Sequence, residues 1–91
     1  MIPHSEVAQV AALEEYRASL IAQYGPLIGG RDLVRSLGFG TQAAFDKARR
    51  EQRLPIRAFR IDGRRGCFAA TAELARWLWM RQFGEEETNE F

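Results

Sequence analysis

The sequence predicts a mainly α-helical domain with one small β-hairpin, and three observations predict it. Apolar residues recur at helical spacing in four stretches, 5–24, 31–37, 41–53 and 71–83. A single stretch, Ile56-Arg57-Ala58-Phe59-Arg60-Ile61, alternates with a period of two, and Asp62-Gly63 follows it as a turn signal before the apolar run Cys67-Phe68-Ala69-Ala70. Between these stretches lie Gly25-Pro26, Gly29-Gly30, Gly38-Phe39-Gly40 and Leu54-Pro55, residues that break periodic structure.

The 91 residues supply one small core, since a chain of this length buries only about 60–65% of its unfolded surface. With 46% apolar and 27% charged residues the chain is expected to be globular. Its longest apolar run falls far short of the roughly 18–20 residues that span a bilayer, so no membrane contact is expected. The start Met1-Ile2-Pro3-His4-Ser5-Glu6 has neither the basic region nor the apolar block of a secretory signal, which predicts a cytoplasmic location. A single cysteine, Cys67, makes no internal disulfide, and with one histidine, His4, near the terminus, one chain assembles no Cys/His metal site. A serine triad needs a histidine, and His4 stands in a terminus expected to be mobile. Neither a cofactor nor an enzymatic activity is expected.

The formal net charge of +1 conceals a segregation. Residues 1–30 carry one base and three acids, and residues 31–66 carry ten bases and four acids. Residues 67–84 carry two bases and one acid, and residues 85–91 carry four acids. Nine of the ten bases in the middle block are arginine, whose planar fork matches phosphate and guanine better than an ammonium does. A charge run taken alone reads equally well as a solvated face with ordinary ion pairs.

Residues 5–24 predict the longest helix, with Ser5 as N-cap, Glu6, Glu14 and Glu15 toward its N-terminal side, and Val10, Leu13, Tyr16, Leu20 and Tyr24 at steps of three or four. Its narrow seam predicts a helix that either caps the domain after it or pairs with a second copy. A short helix, 31–37, follows with Leu33, Val34 and Leu37 inward, and Gly38 stands where a left-handed residue would stop it. Thr41 then caps the helix within 41–53, which turns Ala44, Phe45 and Ala48 inward and leaves Gln42, Ala43, Asp46, Lys47, Arg49, Arg50 and Arg53 outside. Two short helices joined by a tight glycine turn form the helix-turn-helix pattern. Leu54-Pro55 ends the second, and the hairpin that follows, tipped by Arg64, Arg65 and Gly66, has the place of a wing. Thr71 is read as the cap of a last helix reaching about Phe83, with Leu74, Trp77, Leu78 and Arg81 along one side. Trp79, about 200° around the axis from Trp77, needs a separate cover. Phe39, Phe59 and Phe68 are expected to share the core, and Cys67 to serve as a small buried filler.

The pieces Gly30 to Phe39, Thr41 to Arg50, Leu54-Pro55, the Arg64-Arg65 hairpin and Ala75-Arg76-Trp77-Leu78 together resemble the small winged helix-turn-helix proteins of the excisionase and AlpA type, regulators of phages and mobile elements related to the MerR DNA-binding domain. The resemblance covers residues 29–80. The strand 56–61 is longer and more basic than that pattern, and the helix 5–24 and the acidic 85–91 are additional. It implies a DNA-binding unit in 26–84; outside it, the residues themselves predict an N-terminal capping or dimerisation helix in 1–25 and an acidic flexible tail in 85–91. It also implies that Thr41, Gln42, Ala43, Asp46, Lys47 and Arg50 face a major groove, with Arg31 and Arg35 on the flanking backbone and Arg64 and Arg65 on phosphate or in a minor groove. Arg53 and Arg57 complete the expected DNA surface. Leu13, Tyr16, Leu20, Tyr24 and Trp79 form the expected seam of a homodimer.

The function expected on these grounds is sequence-specific binding of double-stranded DNA by a nucleoid-associated transcription regulator or recombination directionality factor. The alternative is an adaptor on the same scaffold, docking a polymerase, recombinase or packaging partner through the acidic tail.

Overall fold

Helix α1 (Pro3–Tyr24) runs for 22 residues, about 33 Å, and ends where Gly25 turns left-handed at φ +84° and donates its N–H to the Ile21 carbonyl at 2.7 Å. The computed structural model describes residues 3–84, so the acidic segment 85–91 and the tail expected there lie outside the described residues. Ser5, read as an N-cap, falls within the first turn of α1, because the helix begins two residues earlier.

After Pro26 the chain forms a strand between the breaking pairs Gly25-Pro26 and Gly29-Gly30, where no element was expected. Strand β1 (Leu27–Gly29) pairs antiparallel with a strand forty residues away, β3 (Cys67–Ala70), in the register Leu27↔Ala70, Ile28↔Ala69, Gly29↔Phe68. Ile28 is buried at the centre of the molecule. With β2 (Phe59–Arg60) on the other side of β3, the domain holds a three-stranded sheet of order β1-β3-β2, where a hairpin alone was expected. Three residues cannot display alternation, and the partner that makes them a strand is supplied by tertiary structure.

Helix α2 (Gly30–Ser36) buries Leu33 and Val34. It closes in the motif predicted for it: Gly38 at φ +88° donates to the Arg35 carbonyl at 3.0 Å, and Phe39 N–H donates to the Val34 carbonyl at 3.1 Å. Helix α3 (Gln42–Arg50) starts on Thr41, whose hydroxyl accepts the Ala44 N–H at 3.0 Å. Its far end repeats the α2 closure with a residue that is no glycine. Arg53 N–H donates to the Ala48 carbonyl at 2.8 Å while Gln52 takes φ +59°.

Strand β2 shrinks from the six residues expected to two, Phe59–Arg60, paired Phe59↔Phe68 and Arg60↔Cys67. The chain bends at Pro55 and Ile56 and sinks Ile56 into the core, so it reaches the sheet only at Phe59. The hairpin turn is real: Arg64 N–H donates to the Ile61 carbonyl at 3.0 Å across Gly63 at φ +79°, as in a type II turn.

Helix α4 (Thr71–Phe83) begins on Ala70, which corrects the role read for Thr71. Thr71 is the first helical residue, fully buried, and its N–H donates to the Pro26 carbonyl at 3.0 Å, while its hydroxyl has no partner among the described residues. Leu74 and Ala75 are buried, and Trp77 and Leu78 pack against the core from the same helix. The core joins Ile28, Leu33, Val34, Leu37, Phe45, Ile56, Cys67, Ala69 and Leu74. Of the three phenylalanines expected in it, Phe39 packs there, edge-on to Phe45 at 5.8 Å. Phe59 and Phe68 oppose one another on the outer face, because Cys67 and Ala69 occupy the inner side of β3 and successive strand residues alternate.

The α1 seam is engaged within the chain. Tyr16 stacks on Trp79 at 5.6 Å, Trp79 on Phe83 at 4.5 Å, and the Gln82 side-chain amide donates to the Tyr16 hydroxyl at 3.3 Å. Of the two roles open to this helix, capping is the one seen within the chain; Leu13, Tyr16, Leu20, Tyr24 and Trp79 are each half-buried here.

Candidate nucleic-acid interface

The surface of α3 follows from its seam. Phe45 (1% exposed) and Ala48 (0%) anchor one side. At about 100° per residue, Ala43 and Arg50 lie opposite them with Asp46 and Lys47 on either flank. Gln42, Ala43, Lys47 and Arg50 are exposed, and Asp46 and Arg49 are half-buried. Ala44, read as inward, is also exposed, because it sits at the margin of a seam only two residues wide.

Several of these side chains hold one another. The Gln42 amide donates to an Asp46 carboxylate oxygen at 3.0 Å, one turn along the helix. Glu51, at the α3 C-cap, holds Lys47 at 4.0 Å and accepts the Arg53 Nε–H at 2.7 Å. Among the described residues Arg50 has no ion pair, which leaves its fork available at the centre of the exposed face. Glu51 went unnoticed in the sequence, although its i, i+4 spacing from Lys47 is the signal that finds such a pair.

Arg31 and Arg35, expected on the DNA backbone beside the groove, lie on α2 next to the start of α3. A cleft of about 410 Å³ between α2 and the start of α3 is lined by Arg31, Arg35, Phe39, Thr41 and Gln42. Two guanidinium groups thus stand beside the N-terminus of α3, where unpaired backbone N–H groups favour an anion. The cap is local in origin: Thr41 is extended at φ −141° and frees the chain from α2 after Gly40.

Arg57 is exposed in the irregular segment before β2, and Arg60 is exposed on it. In the wing, Arg64 and Arg65 prove unlike. Arg65 is exposed and has no ion pair among the described residues, whereas the Arg64 guanidinium carbon stands 5.3 Å from the centroid of the Phe68 ring.

Among the described residues no group of three or more histidine, cysteine or acidic side chains could hold a metal ion, and no helix is long and apolar enough to cross a membrane. The arrangement offers donors with little acceptor chemistry: amide, ammonium and guanidinium groups on α3, two arginines at its start and two in the wing. Comparison of the chain with protein-family models, with curated proteins and with solved structures finds no match.

Proposed function

We propose that this chain binds double-stranded DNA with sequence preference, as a transcription regulator or recombination directionality factor of the excisionase and AlpA kind, at the bacterial nucleoid. The observation that carries the reading is the exposed face of α3, where Arg50 stands opposite the Phe45 and Ala48 seam and the cleft of Arg31 and Arg35 adjoins the capped end. An arginine so placed can form a bidentate pair with the O6 and N7 of guanine, and the flanking arginines neutralise phosphates and fix register. Asp46, joined to Gln42, adds an acceptor for a cytosine amino group.

The test is competition binding of the whole chain between a selected site and scrambled duplex. Arg50→Ala is expected to cost about 1–3 kcal/mol on the selected site and to relax preference there, with circular dichroism unchanged. Equal discrimination by the variant and the native chain would remove base readout from α3.

The same reading includes a second copy. One winged unit buries only about 600–1,000 Å² on DNA, and two half-sites double that contact. Met80 (53% exposed) and Phe83 (60%), three residues apart on one face of α4, remain largely exposed among the described residues, Phe83 although it packs on Trp79. They extend the proposed seam of Leu13, Tyr16, Leu20, Tyr24 and Trp79. Sedimentation equilibrium at tens of micromolar, with and without DNA, is expected to give a dimer mass; a monomer under both conditions rules it out.

A further inference from the structure

The two wing arginines differ in what stands behind them. Phe68 lies on the outer face of the sheet, directly opposite Phe59 of β2 and Gly29 of β1. Gly29 is extended, at φ −150°, so any residue could adopt its backbone; the need for glycine there is steric. A Cβ on Gly29 would meet Cδ2 and Cε2 of the Phe68 ring at 2.5 and 2.7 Å and the Cys67 carbonyl oxygen at 3.0 Å. The ring therefore lies close over the β1 backbone and has little room to turn. Arg64 folds back from the turn to stand over that ring, at 5.3 Å.

We propose that Phe68 and Gly29 are positioning residues for DNA binding, holding the Arg64 guanidinium over the outer face of the sheet so that its N–H edge meets a backbone phosphate. The proposal rests on the duplex-binding reading above. A cation–π contact uses no hydrogen-bond acceptor, so a guanidinium held over a ring keeps N–H donors for an anion. A side chain placed in advance loses less freedom when it grips an anion than one that must be collected from solution. Arg64 thus supplies a fixed contact. Arg65, with no cation–ring contact among the described residues, supplies charge without a set direction.

Two measurements on the whole chain test this. In NMR of the free protein, the Arg64 Cδ protons are expected upfield of their ordinary position through the ring current of Phe68, to remain so in Phe68→Tyr, and to return to the ordinary position in Phe68→Leu. In titrations with a short random-sequence duplex, Phe68→Leu is expected to weaken binding about two- to fivefold, the factor corresponding to an exposed cation–π contact. Combined with Arg64→Ala it should add nothing further, while its effect should multiply with that of Arg65→Ala. Arg64→Lys, a surface change that does not depend on folding of the Phe68 variants, is expected to keep the salt dependence and still lose affinity by the same factor. Independent effects of Phe68 and Arg64, or native affinity in Arg64→Lys, overturn the proposal. Duplex binding without the upfield shift shows that the stacking fails; the shift without any duplex binding shows that the DNA reading fails, and the proposal with it.

Discussion

Replacing Thr71 with valine separates two accounts of one hydroxyl by the sign of the effect. A threonine at the head of a helix usually caps it, and losing a capping hydroxyl costs about 0.5–2 kcal/mol. In the folded chain Ala70 holds the cap position, and Thr71 is 0% exposed with Oγ1 unpaired among the described residues. An unpaired buried hydroxyl costs about 1–3 kcal/mol. Valine keeps the branched shape and puts a methyl where Oγ1 lies, and its N–H can still donate to the Pro26 carbonyl. Its helix propensity differs little from that of threonine. Thr71→Val is therefore expected to stabilise the fold by about 1–2 kcal/mol. In a domain of this size each kcal/mol moves the melting midpoint by about 4–8 °C. Thr71→Ser keeps the hydroxyl and removes the methyl, so it is expected to lose about 1 kcal/mol. Urea and thermal unfolding followed by circular dichroism measure both, with an unchanged urea slope showing that the unfolded state is comparable. A loss of 1 kcal/mol or more in Thr71→Val would refute the reasoning, since it would mean that the hydroxyl has a partner.

Gln52→Gly is expected to stabilise by about 0.5–1 kcal/mol, because the left-handed backbone strains a residue with a Cβ by more than glycine loses in chain entropy; the urea midpoint reads it. Glu51→Ala should release Lys47 and Arg53, strengthen binding to any duplex and steepen the plot of log affinity against log salt by about one unit, and an unchanged slope would show that neither cation reaches phosphate. Phe45→Ala, at a ring 1% exposed and packed edge-on to Phe39, is expected to cost about 3–5 kcal/mol in urea unfolding.

Features whose causes lie within a few residues were legible from the sequence. Gly38 stops α2 and Thr41 starts α3 through hydrogen bonds that span three to five residues, and the Phe45 and Ala48 seam follows from helical period alone. That seam in turn sets Arg50 and Lys47 outward, so the candidate recognition face needed no tertiary information. Only the folded chain decided what depends on distant partners. Leu27–Gly29 becomes a strand because β3 lies beside it, and Thr71 is buried because its N–H is drawn to Pro26. Trp79 finds Tyr16 across two helices. Arg64, itself exposed, stands over Phe68, whose ring lies close on the β1 backbone because Gly29 carries no side chain. Local hydrogen bonding and periodicity are properties of neighbouring residues and can be read in order, whereas burial and stacking belong to pairs that the chain brings together only on folding.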